Sequence, residues 1–279
     1  MTSEKHLKNV YMWREEMDDN LRRENGWLAL AGLFWLRQGK NIVGSAPDVD
    51  ILLPKRAPAK LGVFEFDGSN VAIQIEASLP VEINGVETKS AALSADEENV
   101  PSFITFDNMR MVVVRRSKGV GIRLWDNTRE DRNVYPPREW YAVKDEYLVP
   151  ATYTKYETPQ IVKMPDILGS ILDEQMHGYV SFELNGQQRE LMAQELPDRR
   201  LFIQFMDETN NRSTYPSGRY HHTDPHEKGN VFIDFNKAYS PPCSFTEYAT
   251  CTFPPQENHL QTAVEAGELY TDYQRKRHH

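Results

Sequence analysis

The stretch Tyr179-Val180-Ser181-Phe182-Glu183-Leu184-Asn185-Gly186-Gln187-Gln188-Arg189-Glu190-Leu191-Met192-Ala193 decides how the rest of the chain is read. Two runs of period two, Tyr179–Leu184 and Arg189–Ala193, flank an Asn-Gly pair, the dipeptide that most readily supplies the positive φ angles of a tight hairpin. The same rhythm recurs on both sides. Upstream lie Leu61–Phe66, the turn Asp67-Gly68, Val71–Glu76, Pro80–Ile83 and the turn Asn84-Gly85. Ser102–Phe106, the turn Asp107-Asn108, Met109–Val114 and Val120–Trp125 follow, and downstream come Leu201–Met206 and Val231–Phe235. About a dozen short strands cut by such turns predict a mainly β protein built from packed sandwich or barrel layers.

One segment departs from this pattern. Leu7, Val10, Tyr11, Met17 and Leu21 fall near a 3.6-residue spacing among charges, and Asn25-Gly26 follows as a stop, so residues 5–24 read as an amphipathic helix. Trp27–Leu36 is about half the length needed to span a bilayer and reads as a buried element. Pro136-Pro137, Pro150, Pro159 and Pro165 mark a region where strands are expected to break and the chain to cross over. The organisation that results is a helix with its apolar segment (1–39), a β-sandwich subdomain (40–125) and a C-terminal β subdomain (126–279). The last carries an extended polar arm over 234–268. The basic tail from Arg275 to His279 is set aside from the fold.

The 279 residues are 39% hydrophobic and 26% charged, a globular composition that excludes a disordered or fibrous chain. A net charge of −9 has the wrong sign for a general nucleic-acid binder. The start, Met1-Thr2-Ser3-Glu4-Lys5-His6, lacks the basic and apolar regions of a secretory leader, and no run is long enough for a membrane helix, so a cytoplasmic protein is expected. Two cysteines are too few for a disulfide scaffold.

Chemistry concentrates between Asp207 and Glu268. Arg219, in Gly218-Arg219-Tyr220 after an apolar strand that ends at Asp207, offers a guanidinium fork for a carboxylate or phosphate; the bland alternative is an ion pair with Asp207 or Asp234. Asp234-Phe235-Asn236, Tyr239-Ser240-Pro241-Pro242-Cys243, Cys251, Pro254-Pro255-Gln256-Glu257-Asn258 and Ala266-Gly267-Glu268 form a proline-stiffened arm of the kind that holds polar groups in place. Asp234 or Glu257 is the candidate acid/base, and Cys243 is an outside candidate for a nucleophile. Arg219, Tyr220, Asn236, Tyr239, Asp207, Asn258 and Glu268 are the candidate ligand-binding residues. His221-His222-Thr223-Asp224-Pro225-His226 gathers three imidazoles, but its spacing is not diagnostic of a metal site, and none is assigned. No Walker loop, dinucleotide fingerprint, Gly-x-Ser-x-Gly or His-Glu-x-x-His occurs, and no organic cofactor is implied.

Gly26-Trp27-Leu28, Gly32-Leu33-Phe34-Trp35-Leu36, Gly39-Lys40-Asn41, Gly121-Ile122-Arg123-Leu124, Thr214-Tyr215, Gly218-Arg219-Tyr220 and the 234–268 arm resemble the domain-of-unknown-function family numbered 1684, over nearly the whole chain. Ser240 and Thr252 depart from that family's pattern, while the cysteines, Tyr239 and Glu257-Asn258 keep it. The resemblance supports fold and site and implies no activity. Residues 40–125 are also similar in rhythm to a forkhead-associated sandwich. Ser45 stands beside Gly44 where that family reads phosphothreonine with arginine, and no Ser-x-x-His follows Pro54, so the resemblance does not extend to phosphopeptide binding.

These residues read as a small-molecule enzyme, a hydrolase or lyase acting on an anionic or carbonyl substrate, with neither nucleic acid nor membrane as partner. The alternative is a ligand-binding or protein-interaction module whose C-terminal arm is a structural clasp. An open cleft around Arg219, Asp234 and Glu257 favours the first; a sealed ion-pair network among them favours the second.

Overall fold

The computed structural model describes residues 3–277. They divide into two compact units: a terminal unit of residues 3–21 with 135–277, and an inserted unit, Arg22–Val134. The boundaries drawn from the turns, at 39/40 and 125/126, both fall inside the inserted unit. The chain is mainly β, with one long helix, Glu4–Arg22. That helix ends as expected: Asn25 adopts a left-handed φ of 57°, and Gly26 N donates to Arg23 O at 3.0 Å. The tail set aside above is helical over Asp272–Arg277, and His278 and His279 lie outside the described residues.

The inserted unit is a β-sandwich. One sheet runs in the order Leu30–Trp35, Gly119–Asp126, Met109–Arg116, Ile104–Phe106, Glu82–Ile83, Val86–Glu87. The other runs Ile51–Leu52, Gly39–Gly44, Gly62–Phe66, Val71–Ile75, Ser90–Leu93. Their inner faces meet in one core in which Phe64 and Ile73 from the second sheet pack with Met111, Val113 and Ile122 from the first, all with no exposed surface. The apolar segment Trp27–Leu36 proves to be a 3-10 turn, Trp27–Ala29, running into the edge strand Leu30–Trp35.

In the terminal unit, six antiparallel strands run in the order Arg219–His222, Leu201–Phe205, Gln187–Glu195, Ile171–Leu184, Leu148–Pro165, Asn230–Asp234. The Asn185-Gly186 hairpin forms as expected, with Leu184 opposite Gln187 and φ of 54° and 71° at the two turn residues. Val180, Phe182 and Leu184 point into the core. The sheet curls so that its first edge strand bridges to the segment just after its last one: Tyr220 N donates to Tyr239 O at 2.8 Å, and Tyr239 N to Tyr220 O at 2.9 Å. A half-closed barrel results, with the last residues of Asn230–Asp234 beside the edge strand Arg219–His222.

The prolines do not break the sheet as expected. Pro150, Pro159 and Pro165 all lie within the single strand Leu148–Pro165. Pro159 sits in the bulge between Lys155 and Gln160, where the ladder slips and no N–H is required, and Pro165 is the strand's last residue. Pro150 precedes Ala151, the first residue paired with Ile171–Leu184, so its missing donor costs that ladder nothing. Among the described residues no helix is long and apolar enough to cross a membrane.

Candidate functional site

Arg219, predicted to hold an anion, is instead completely enclosed. Its side chain and that of Asp207 are both 0% exposed, with Nη2 2.6 Å from Asp207 Oδ2. Nη2 also donates to Val264 O at 3.0 Å and Nη1 to Ala266 O, while the guanidinium lies over the Phe205 ring. Asp207 Oδ1 accepts from Thr209 N and Val264 N. The pair therefore clasps the 264–266 segment to the sheet and leaves no face for a substrate. Gly218 makes the approach possible: its φ is +92°, and a Cβ there would stand 2.7 Å from Phe205 O.

Several other candidates have structural tasks. Asn258, 1% exposed, donates to Met192 O and Gln204 O and accepts from Met192 N, fixing the arm to the sheet. Glu268, 1% exposed, accepts from Arg138 Nη1 at 3.1 Å and from Ser240 N at 2.8 Å, and burial raises its pKa. Tyr220 Oη donates to Thr252 O at 3.2 Å. Glu257, the alternative acid/base, is exposed and does not line the cavity that Asp234 borders. Cys243 packs with Cys251, Tyr215, Ala249 and Tyr270. A hydrogen bond with Cys251 and then burial raise the Cys243 pKa, which disfavours the thiolate a nucleophile needs. His226 turns aside to Glu195, 3.0 Å away, and among the described residues no three His, Cys, Asp or Glu side chains gather to hold a metal.

Asp234 is where the polar groups do converge. It ends its strand at the seam of the curled sheet, beside a cavity of about 300 Å³. Its Oδ1 accepts from Asn236 N and Nδ2 at 3.2 and 2.9 Å, and Asn236 is itself locked by Lys144 N and O. Asp234 Oδ2 lies 2.9 Å from His6 Nε2, whose Nδ1 lies 3.2 Å from Asp145 Oδ1. Lys5, His6 and Asn9, all in the first turns of the N-terminal helix, form one wall, and Lys237 Nζ donates to Asn9 Oδ1 at 2.6 Å. The helix start and the two lysines bring positive potential to this wall.

His221 and His222 form the opposite wall. His221 is 1% exposed, and neither ring nitrogen has a hydrogen-bond partner, although the Lys237 backbone is near enough to act on the ring. Burial lowers its pKa to about 4 against the pull of Asp234, so the imidazole is neutral at pH 7. His222, stacked on Phe202 with its Nδ1 2.9 Å from Tyr239 Oη, is lowered to about 4, first by burial and then by Arg200. Of the predicted residues, then, the structure brings Asp234, Asn236 and Tyr239 to this region. His6, Lys5 and Asn9 were not anticipated: the helix pattern marks them only as polar positions, and His6 is 228 residues from Asp234.

A family described as "Protein of unknown function (DUF1684)" matches residues 134–269, a narrower span than the near-complete resemblance expected above. Among similar solved structures is the solution NMR structure of the uncharacterized protein from gene locus rrnAC0354 of Haloarcula marismortui. It is 33% identical, covering 51% of this chain and 80% of that one, with a TM-score of 0.42. The FHA structure of Rv0020c matches at 17% identity over 32% of this chain and 76% of that one, with a TM-score of 0.23. No curated protein matches the chain.

Proposed function

We propose, from the premise that this chain belongs to the DUF1684 family of proteins of unknown function, that the Asp234 cavity binds and transforms a small anionic or carbonyl compound by acid–base chemistry, as a hydrolase or lyase does. The observation that carries the reading is His221: a buried, neutral imidazole with no well-formed hydrogen bond at either nitrogen and only the Lys237 backbone close to it, on the wall of a cavity that also holds the His6–Asp234 pair. A buried ring with at most one weak partner is costly, and a ligand atom in the cavity supplies a hydrogen bond it lacks. Lys5, Lys237 and the helix start attract the anionic group. His221 then hydrogen-bonds the substrate oxygen, and His6, held by Asp234 and Asp145, takes a proton from the attacking water or the substrate carbon and returns it to the departing group. No metal or organic cofactor enters this scheme.

One observation favours binding without turnover. Asp234 already accepts three hydrogen bonds, which suits a carboxylate that shapes a site better than one that attacks. In either reading the protein works in the cytoplasm, where Cys243 and Cys251 stay reduced, without nucleic acid or membrane as partner.

A thermal-shift screen with acetate, succinate, citrate and inorganic phosphate separates these ideas. A ligand present at about 100 times its Kd stabilises by about 2.7 kcal/mol, which is several degrees in Tm. The expected result is such a shift for at least one of the four, lost in His221→Phe and in His6→Ala. A flat response to all four, or a shift that both variants keep, rejects the site. Turnover of an ester or hydroxy-acid analogue of the stabilising anion would favour the enzyme over the binding module.

A further inference from the structure

The inserted unit has a concavity of its own, about 470 Å³, on its six-stranded sheet. Met109–Arg116 and Gly119–Asp126 pair with Arg110 opposite Trp125 and Val112 opposite Arg123. Alternation puts these four side chains on one face, away from the core residues Met109, Met111 and Val113. The Arg110 guanidinium lies 3.6 Å from the centre of the Phe103 ring. Its Nε is sealed from water without a hydrogen-bond partner, and among the described residues no carboxylate pairs with it. The two acids nearby are otherwise placed: Asp96 is held by Arg116 at 2.5 Å and lies 3.6 Å from Arg123, and Glu24 is exposed at the rim.

A partly desolvated cation with no countercharge is an unfavourable arrangement unless something else supplies the charge. Burial accordingly lowers the Arg110 pKa. Packing on Phe103 satisfies one face of the guanidinium and leaves its N–H edge unused, in a fork that matches a carboxylate or phosphate. Trp125, half-buried and directly across the strand pair, offers a flat apolar wall beside that edge.

We propose that this concavity is a second ligand site, taking a small anion that bears a flat unsaturated ring, such as an aromatic carboxylate or an aryl phosphate monoester. Arg110 holds the anionic group, with Arg23 and Arg123 adding to the potential, and the ring lies against Trp125. The site is independent of the Asp234 cavity and of the reading given to it.

Calorimetric titration of the full chain with benzoate and phenyl phosphate, beside acetate and inorganic phosphate, tests this. The ring-bearing anions are expected to bind on the order of tenfold more tightly than their ringless counterparts. Arg110→Ala is expected to weaken them by on the order of tenfold or more, and Arg110→Lys, which keeps the charge, by less. Trp125→Leu should remove the preference for a ring while leaving anion binding, and His6→Ala, which touches only the Asp234 cavity, should leave the extra affinity for the ring-bearing anions unchanged. Wild-type affinity for the ring-bearing anions in Arg110→Ala, equal affinity for ringed and ringless anions, or loss of the ring-dependent affinity in His6→Ala would each overturn the assignment. Unfolding midpoints of the two arginine variants within a few degrees of wild type confirm that the comparison is between folded proteins.

Discussion

Replacing Arg219 with alanine lowers the unfolding midpoint by on the order of 10 °C, read by circular dichroism on heating at pH 7. Arg219 and Asp207 are both fully enclosed, and removing one partner leaves the other as an uncompensated buried charge, typically a loss of about 3–5 kcal/mol. At roughly 2–4 °C per kcal/mol for a unit of this size, that is a large displacement. The alanine variant also abandons Val264 O and Ala266 O, so the 264–266 segment loses its attachment to the sheet. The paired replacement Arg219→Met with Asp207→Leu should recover part of the loss, because no lone charge then remains. Recovery is incomplete, since Thr209 N and Val264 N lose their acceptor. Had Arg219 been a substrate fork, the alanine variant would keep its midpoint and lose only ligand binding. A midpoint within about 2 °C of wild type would sink the clasp assignment.

What the sequence reveals about this fold depends on whether the signal is local. Asn84-Gly85, Asp107-Asn108 and Asn185-Gly186 were legible because tight hairpins need left-handed φ at the turn, and the structure has φ of 51°, 51° and 54° at Asn84, Asp107 and Asn185. The strand Leu148–Pro165 was not legible, since prolines normally argue against a strand and only the three-dimensional register shows Pro159 at a bulge, Pro165 at the strand's end and Pro150 opposite Phe232 of the edge strand. Arg219–His222 was also hidden: it is four residues long, and its buried faces carry Arg219 and His221 in place of aliphatic residues.

The same distinction governs the site. Asp234 and Asn236 are neighbours in sequence and were found together; the Asp234 carboxylate caps the following turn by accepting from Asn236 N. Glu257 was grouped with them through the richness of the arm, yet the arm's rigidity serves to pin Asn258 into the sheet and leaves Glu257 outside. His6 joins only because the sheet curls and the N-terminal helix lies across its seam, and no spacing rule reaches across that distance.

Between pH 7 and pH 5 the wild-type midpoint should fall more steeply than that of His221→Phe. In the folded protein His221 has a pKa of about 4, against 6.5 for the free ring, so between those values the unfolded chain binds a proton that the folded chain does not. Stability therefore rises with pH across this window: the His221 contribution is complete above pH 6.5 and is lost as pH falls towards 4. The loss is about 2 kcal/mol by pH 5 and roughly 3 kcal/mol in full, or several degrees of midpoint. Asp234 and the Lys237 backbone pull in the opposite direction, while His222 and the charge of Lys237 add to the effect of burial. Because a phenyl ring does not titrate, the variant should keep only the slope of the remaining groups, chiefly His222, whose pKa is lowered in the same way. A saturating ligand that hydrogen-bonds His221 should alter the wild-type slope and leave that of the variant unchanged, which ties the pH profile to occupancy of the cavity. Parallel profiles for the two proteins would mean that the ring is already satisfied in solution, and the reason for placing a substrate oxygen beside it would disappear.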